Sequence, residues 1–385
     1  MTTLGTALAA AALGYAVLAW TAVRLWRNSR ARPWRGAGAA ATPARPLAVT
    51  VLKPLCGAEP GLDHSLRSLC DQSYGAEVQI VFGVQNPADP ALAVLEQLRR
   101  DYPRLDIAVV VDPTRHGASA KVSNLINMMR AARHDWLLLA DSDVRVPPGY
   151  LAAVTAPLAD PTVGIVTCPY RGIPRPGLWS LLGALFINDW FIPSVRVAAL
   201  FGSRAFAFGA TIALRRDALD AIGGFGAIAD QLADDYRLGE LTRRRGLRTV
   251  LSEIVVDTWV DERTLRQLVQ HGLRWLRTIR VVRPGGYAFS AVTFSLPVAA
   301  LGCALAEGTP VALSLLAATL LLRLMLHRAA RTRSDPGGSW SRLWAIPLAD
   351  ALGFSLWCGA FVTRDVQWRQ GRYRVARDGS LQPIS

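Results

Sequence analysis

Trp136-Leu137-Leu138-Leu139-Ala140-Asp141-Ser142-Asp143 is an apolar run that ends in two acids one residue apart. A short continuous apolar run of this kind reads as a strand buried on both faces. On extended backbone, residues i and i+2 point the same way, so Asp141 and Asp143 can offer two hard oxygen ligands to one divalent ion. Mg²⁺ is typically held by one or two carboxylates with substrate phosphates completing the shell. The pair therefore suits a nucleotide diphosphate whose leaving charge must be neutralised. A plain solvated turn accounts for the same two acids, because Asp is common there.

Outward from this stretch the chain repeats the pattern. Residues 48–51, 78–84 and 107–111 read as further buried strands, and 61–70, 91–100 and 120–132 have helical spacing between them. The alternation runs from Leu47 to about Ser252 and predicts a mostly parallel sheet with helices on both faces. Ligands of such sheets bind beyond the carboxyl ends of the strands. Lys53, Asp89, Asp112, Asp141 and Asp143 all stand just after a strand.

The chain of 385 residues is 51% hydrophobic and carries a net charge of +14, with a mean hydropathy of +0.23. That is too apolar for an ordinary soluble protein and too charged in its middle for a simple bundle of membrane helices. The arginines cluster beside apolar segments, which points to anionic lipid headgroups; no nucleic-acid motif accompanies the charge. The cysteines (56, 70, 168, 303 and 358) are odd in number and lack metal-ligand spacing, so a reducing cytosol fits better than a disulfide framework or a zinc site.

Residues 1–27 read as a retained transmembrane anchor rather than a cleaved signal peptide, since no basic stretch precedes the apolar core and no clear cleavage site ends it. Residues 28–46 form a basic Pro/Gly/Ala linker. Arg24, Arg27, Arg30, Arg32 and Arg35 place the domain that follows, residues 47–286, on the cytoplasmic side. Three apolar segments (288–306, 310–326 and 343–362) make a C-terminal membrane region over 287–363. The first two read as a hairpin turning at Glu307-Gly308-Thr309. If the third crossed, the basic tail 364–385 would lie outside, against the positive-inside rule. With Pro347 and Asp350 inside it, we read that segment as re-entrant or interfacial and the tail as cytoplasmic. The localisation expected is a bacterial inner membrane, multi-pass.

Two more constellations stand further along the chain, Asp234-Asp235-Tyr236 and His271-Gly272-Leu273-Arg274-Trp275. Together with Val51 to Gly57, Val84 to Pro90, Lys121-Val122-Ser123-Asn124-Leu125, Phe208-Gly209-Ala210-Thr211 and Ile222-Gly223-Gly224-Phe225, they resemble an inverting family A glycosyltransferase of the processive-synthase type. Within that group the chain looks like the ceramide glucosyltransferases, and most like the hopanoid-biosynthesis-associated glycosyltransferases of bacteria. The resemblance covers about Leu47 to Tyr287. It implies a Rossmann-like, mixed but mostly parallel sheet with membrane helices at both ends.

By this resemblance Asp141 and Asp143 contact Mg²⁺ or Mn²⁺ and the diphosphate, and Asp235 is the general base, with Asp234 in support. An acid pair in the first turn of a helix is favourable without any chemistry. Arg274 binds a diphosphate oxygen and Trp275 walls the acceptor, although an amphipathic helix facing headgroups explains the same arginines. His271 departs from the family's Gln or Arg at that place. Lys53, Asp89, Lys121 and His271 are the candidate nucleotide-sugar contacts; a turn aspartate and a surface lysine are the plain alternatives for Asp89 and Lys121. Gly223 and Gly224 are candidate acceptor residues, or a helix-ending glycine turn. The apolar stretch 179–200, with Trp190, reads equally as a core helix and as an interfacial helix guiding a lipid acceptor.

The expected activity is transfer of N-acetylglucosamine from a UDP-sugar to a hopanoid polyol such as bacteriohopanetetrol. The alternatives are glucose transfer to ceramide, a sphingolipid, and a catalytically inactive membrane scaffold. The expected partners are the UDP-sugar donor, the lipid acceptor and the bilayer, with no nucleic acid.

Overall fold

A computed structural model describes residues 1–29, 46–203, 205–330, 342–368, 371–376 and 378–384. The linker up to residue 45, with Arg30, Arg32 and Arg35, lies outside the described residues, as do Arg331, Arg333, Arg369 and Arg377.

The apolar runs form β1 (Val49–Pro54), β2 (Val78–Val84), β3 (Asp106–Val111) and β4 (Trp136–Leu139). Then come β5 (Val144–Arg145), β6 (Val163–Thr167), β7 (Tyr170–Pro174), β8 (Ile212–Arg215), β9 (Arg248–Leu251) and β10 (Val256–Val260). Seven of them make one sheet in the order β3-β2-β1-β4-β8-β6-β9. β1, β2, β3 and β4 pair in parallel, whereas β8 runs antiparallel to both β4 and β6. The alternation of side chains along each strand separates two cores. Val51 joins Leu66, Leu95 and Tyr150 on one face, and its neighbour Leu52 joins Val122, Leu125 and Leu238 on the other. The mixed, mostly parallel sheet with helices on both faces is the architecture expected. One detail differs: β3 is only half-buried and Val111 is exposed, because this strand is the sheet's edge.

A second, three-stranded sheet sets β5, β10 and β7 side by side. β10 pairs antiparallel with β5 and brings Thr258 opposite Val144, next to the acid pair.

Among the described residues three helices are long and apolar enough to cross a membrane: Thr2–Trp26, Leu178–Leu200 and Pro310–Ala330. The pair Pro284–Thr293 and Ser295–Leu305 would add a fourth span, bent by 73°. The N-terminal helix packs against Ser295–Leu305 so closely that a Cβ on Gly302 would sit 2.7 Å from the backbone of Gly5 and Ala9. Close approach through small residues is the usual way helices pack in lipid. The helix Ala345–Gly359 is shorter. Its Asp350 takes two hydrogen bonds from Arg323, at 2.7 and 2.6 Å. His327 pairs beside them with Asp189 at 2.5 Å, and all four side chains are buried. Asp189 belongs to a π-helical turn, Ile187–Phe191, inside the apolar helix. Removing one partner of such a buried pair costs about 3–5 kcal/mol.

After the last helix the chain forms β11 (Asp365–Trp368), β12 (Gly371–Val375) and β13 (Leu381–Pro383), a small antiparallel sheet. It docks on residues 230–232 of the sheet domain, so tail and domain share one side of the membrane helices.

Candidate active site

The acids after β4 and the acids that open the helix Asp234–Arg244 meet at the carboxyl edge of the sheet. Lys121, in the first turn of Ala120–Met129, stands between them. Its ammonium lies 2.6 Å from Asp141 Oδ1 and 3.4 Å from Asp234 Oδ2. Burial opposes the charge on Lys121, but the carboxylates of Asp141 and Asp234 outweigh it and raise its pKa. Gly209 forms the floor. A Cβ there would stand 3.3 Å from Asp141 Oδ2, 3.4 Å from Asp235 Oδ2 and 3.4 Å from Lys121 Nζ. A side chain at 209 would touch all three groups and press most closely on Asp141.

Asp235 is held by backbone donors. The Gly209 N–H reaches its Oδ2 at 2.8 Å and the Tyr236 N–H its Oδ1 at 2.7 Å. Burial, then the adjacent charge of Asp234, pushes its pKa up to about 6, against the pull of Lys121. That places the carboxylate near the operating range of a general base.

Asp143 is gripped by the Thr258 hydroxyl, and burial, together with the charge of Asp141, raises its pKa. Among the described residues no cluster of three or more His, Cys, Asp or Glu side chains could cage a metal. Asp141 and Asp143 offer two hard oxygen donors, a set that fits a divalent ion whose remaining ligands come from outside the protein.

Lys53 is placed otherwise than expected. It is 1% exposed, and its ammonium donates to the carbonyls of Asp141 at 2.7 Å and Val144 at 3.3 Å. Burial lowers its pKa to about 8, against the pull of Asp143 and Asp141. It is a prop beneath the acid turn. Asp89 accepts from the Gly57 N–H at 3.0 and 2.9 Å and from the Ala91 N–H at 2.9 Å. It ties the loop after β1 to the next helix.

Arg274 and Trp275 lie on the helix Leu265–Val282, which opens with a full capping box, Thr264 with Gln267. Trp275 belongs to an aromatic wall with Tyr170 at 5.9 Å, Phe191 at 5.3 Å and Phe186 at 6.2 Å between ring centres. Phe208, beside Gly209, closes on Phe191 at 5.2 Å. Burial and the charges of Asp235, Asp141 and Asp143 push Tyr170 well up, and Arg274 opposes them, so these groups share one neighbourhood. His271 turns away to Glu262, 2.6 Å from its Nδ1. Trp190 stacks on Phe186 at 4.6 Å and Phe294 at 5.0 Å and donates to Thr293 at 2.8 Å. It continues the wall toward the membrane helices. Gly223 and Gly224, with φ of 93° and 69°, end the helix Arg216–Ala221. Their N–H groups donate back to Asp220 and Leu219, the geometry of a helix-terminating turn, and no contact of theirs reaches the acids.

Thr258, Tyr170 and Gly209 were not singled out from the sequence. Thr258 lies 115 residues from Asp143, and no local signal links them. Gly209 falls inside a segment of the resemblance, and its role appears only once β8 is threaded beside β4.

The model of the family described as glycosyl transferase family 21 matches residues 5–381. A ceramide glucosyltransferase of Caenorhabditis elegans is 25% identical over 206 residues, 53% of this chain and 44% of that protein. One from Komagataella phaffii is 33% identical over 108 residues, 27% of this chain and 21% of that protein. The chain thus matches less than half the length of these curated relatives. A mannosyltransferase from Pyrobaculum calidifontis, solved with GDP-mannose and Mn²⁺, superposes with a TM-score of 0.54 at 23% identity, over 92% of this chain and 98% of the other. That likeness bears on the fold.

Proposed function

The chain belongs to glycosyl transferase family 21, and we propose that it moves a sugar, with inversion, from a UDP-sugar to a hydroxyl of a membrane lipid at the cytoplasmic face of a bacterial inner membrane. The observation that carries this reading is the convergence of Asp141, Lys121 and Asp235 around Gly209, with an aromatic wall leading from there toward the membrane helices. Such a gathering, held by backbone donors, speaks against an inactive scaffold.

In this reading Asp141 and Asp143 hold Mg²⁺ or Mn²⁺, which when bound neutralises charge on the leaving diphosphate. Lys121 and Arg274 face the diphosphate as fixed cations. Asp235 takes the acceptor's proton as its oxygen attacks the anomeric carbon, and Asp234 holds Lys121 in place. Trp275, Phe191 and Phe208 keep water from the reacting carbon, and Trp190 lines the approach of the lipid.

For the acceptor we propose a hopanoid polyol with UDP-N-acetylglucosamine, on the resemblance of the sequence segments. The likeness to ceramide glucosyltransferases favours a second reading, ceramide with UDP-glucose. Purified protein is expected to show the higher kcat/KM, the proper measure of discrimination, with bacteriohopanetetrol and UDP-N-acetylglucosamine. The reverse ratio promotes the ceramide reading.

The orientation is checked in intact cells after replacement of the native cysteines by serine. Glu307→Cys, in the turn between two membrane helices, is expected to react with a membrane-impermeant thiol reagent, and Asp378→Cys is expected to stay protected. The opposite labelling reverses the orientation.

A further inference from the structure

The C-terminal sheet touches the segment that leads into Asp234 and the helix that carries Arg274 and Trp275. Its Leu381 N–H donates to the Asp230 carbonyl at 2.7 Å, and the Leu232 N–H donates to the Gly379 carbonyl at 3.1 Å. Gln231 thereby pairs antiparallel with Ser380, and Leu232 is buried against Val366, Val375 and Leu381. Leu232 stands two residues before Asp234. Between the short turn Phe225–Ile228 and Asp234 the chain is irregular, so the tail supplies the ladder bonds that this segment does not make with the main sheet.

The other edge of the tail holds the helix of Arg274 and Trp275. Arg277 donates to the Asp365 carbonyl at 2.6 Å and Gln270 to the Gln367 side chain at 3.2 Å, on either side of Arg274. The same segment that the tail grips also anchors the start of the Lys121 helix. The Ser119 N–H donates to the Ala229 carbonyl at 2.8 Å, and the Ala118 N–H to Asp230 Oδ1 at 2.8 Å.

We propose that the sheet of β11, β12 and β13 is a positioning clamp, which holds the segment entering Asp234-Asp235, the Lys121 helix and the Arg274-Trp275 helix in one working register. The clamp rests on the proposed function, with Asp235 as base and Lys121 and Arg274 as the cations of the diphosphate. Catalytic groups must be held within about 0.5 Å of their productive places, and a misplacement of about 1 Å costs about 10²-fold in rate. A tail that served only as an apolar cap would add stability and leave the rate untouched.

The test compares Leu381→Pro, which deletes the N–H bonded to Asp230, with Leu381→Val, which keeps it, both in the full-length protein in detergent. UDP release is followed with bacteriohopanetetrol and ceramide present, and amide hydrogen exchange is measured on the same samples. For Leu381→Pro we expect exchange at Leu232–Tyr236 to quicken by about tenfold or more while β1 and β4 stay protected. We expect kcat to fall by about 10- to 100-fold with KM for the nucleotide sugar within about threefold. Leu381→Val should match the wild type in each. If the proline variant does not fold, Arg277→Gln, which cuts the other edge of the clamp, is read in the same way. Unchanged kcat, or a fall in kcat without faster exchange at 232–236, overturns the clamp. Asp235→Asn is run alongside: undiminished transfer by that variant sinks the assignment of the base, whereas the tail is judged on exchange and kcat alone.

Discussion

Asp235→Asn is expected to lower sugar transfer by about 10²–10⁴-fold while the affinities for donor and metal stay near wild type, the loss typical of removing a positioned general base. The amide keeps the shape, but its single oxygen can accept from Gly209 or from Tyr236 and not from both, and it cannot take a proton. The same group sets a pH dependence. Burial and Asp234 raise the carboxyl to about 6, against the pull of Lys121, and only the ionised form is a base. Activity is therefore full above this value and falls about tenfold per unit as the pH drops below it. Asp235→Asn should erase that limb. Asp234→Asn should do less harm, because Lys121 keeps Asp141 as a partner at 2.6 Å. If Asp234→Asn abolished transfer and Asp235→Asn spared it, the two roles would be exchanged.

Asp143→Ala is the second large effect. Removing this carboxylate leaves Asp141, already engaged by Lys121, as the remaining acid for a divalent ion. Donor binding should lose its metal dependence, and turnover should fall by about 10³-fold, in keeping with the several kcal/mol of charge stabilisation that a Lewis acid supplies. Excess chelator should silence the wild type, and Mn²⁺ or Mg²⁺ should restore it. Full activity in excess chelator would remove the metal from the proposed mechanism. Thr258→Val is a gentler probe of the same acid, since it takes away the hydroxyl that grips Asp143.

The parallel half of the sheet was legible because strands covered on both faces carry unbroken apolar runs. β2 spans Val78–Val84, as its hydrophobic stretch predicts. The antiparallel insertion of β8 between β4 and β6 was not legible, because four-residue strands leave no period to count. Lys53 deceived for a physical reason. A lysine just after a strand reads as a ligand to phosphate, and its use as a buried prop appears only when the carbonyls of Asp141 and Val144 are known to converge on it. The tail carries more structure than its basic character suggests. Arg372 and Arg374 are exposed, and Val366, Val375 and Leu381 form a buried face. The acid pairs and the Arg274-Trp275 helix were visible as motifs. Their meeting around Gly209 was not, because pairings across a hundred residues leave no trace in local pattern.

The buried pairing of Arg323 with Asp350 governs how this protein is made. An arginine or an aspartate alone at the centre of a lipid-embedded helix costs about 2.5–3.5 kcal/mol on insertion scales. The ribosome delivers the arginine first and its carboxylate partner 27 residues later. Until the second arrives, Arg323 has Asp189 as its counter-charge, 3.9 Å away and shared with His327. A chain halted before Asp350 is therefore expected to hold the helix Pro310–Ala330 less firmly than the finished protein does.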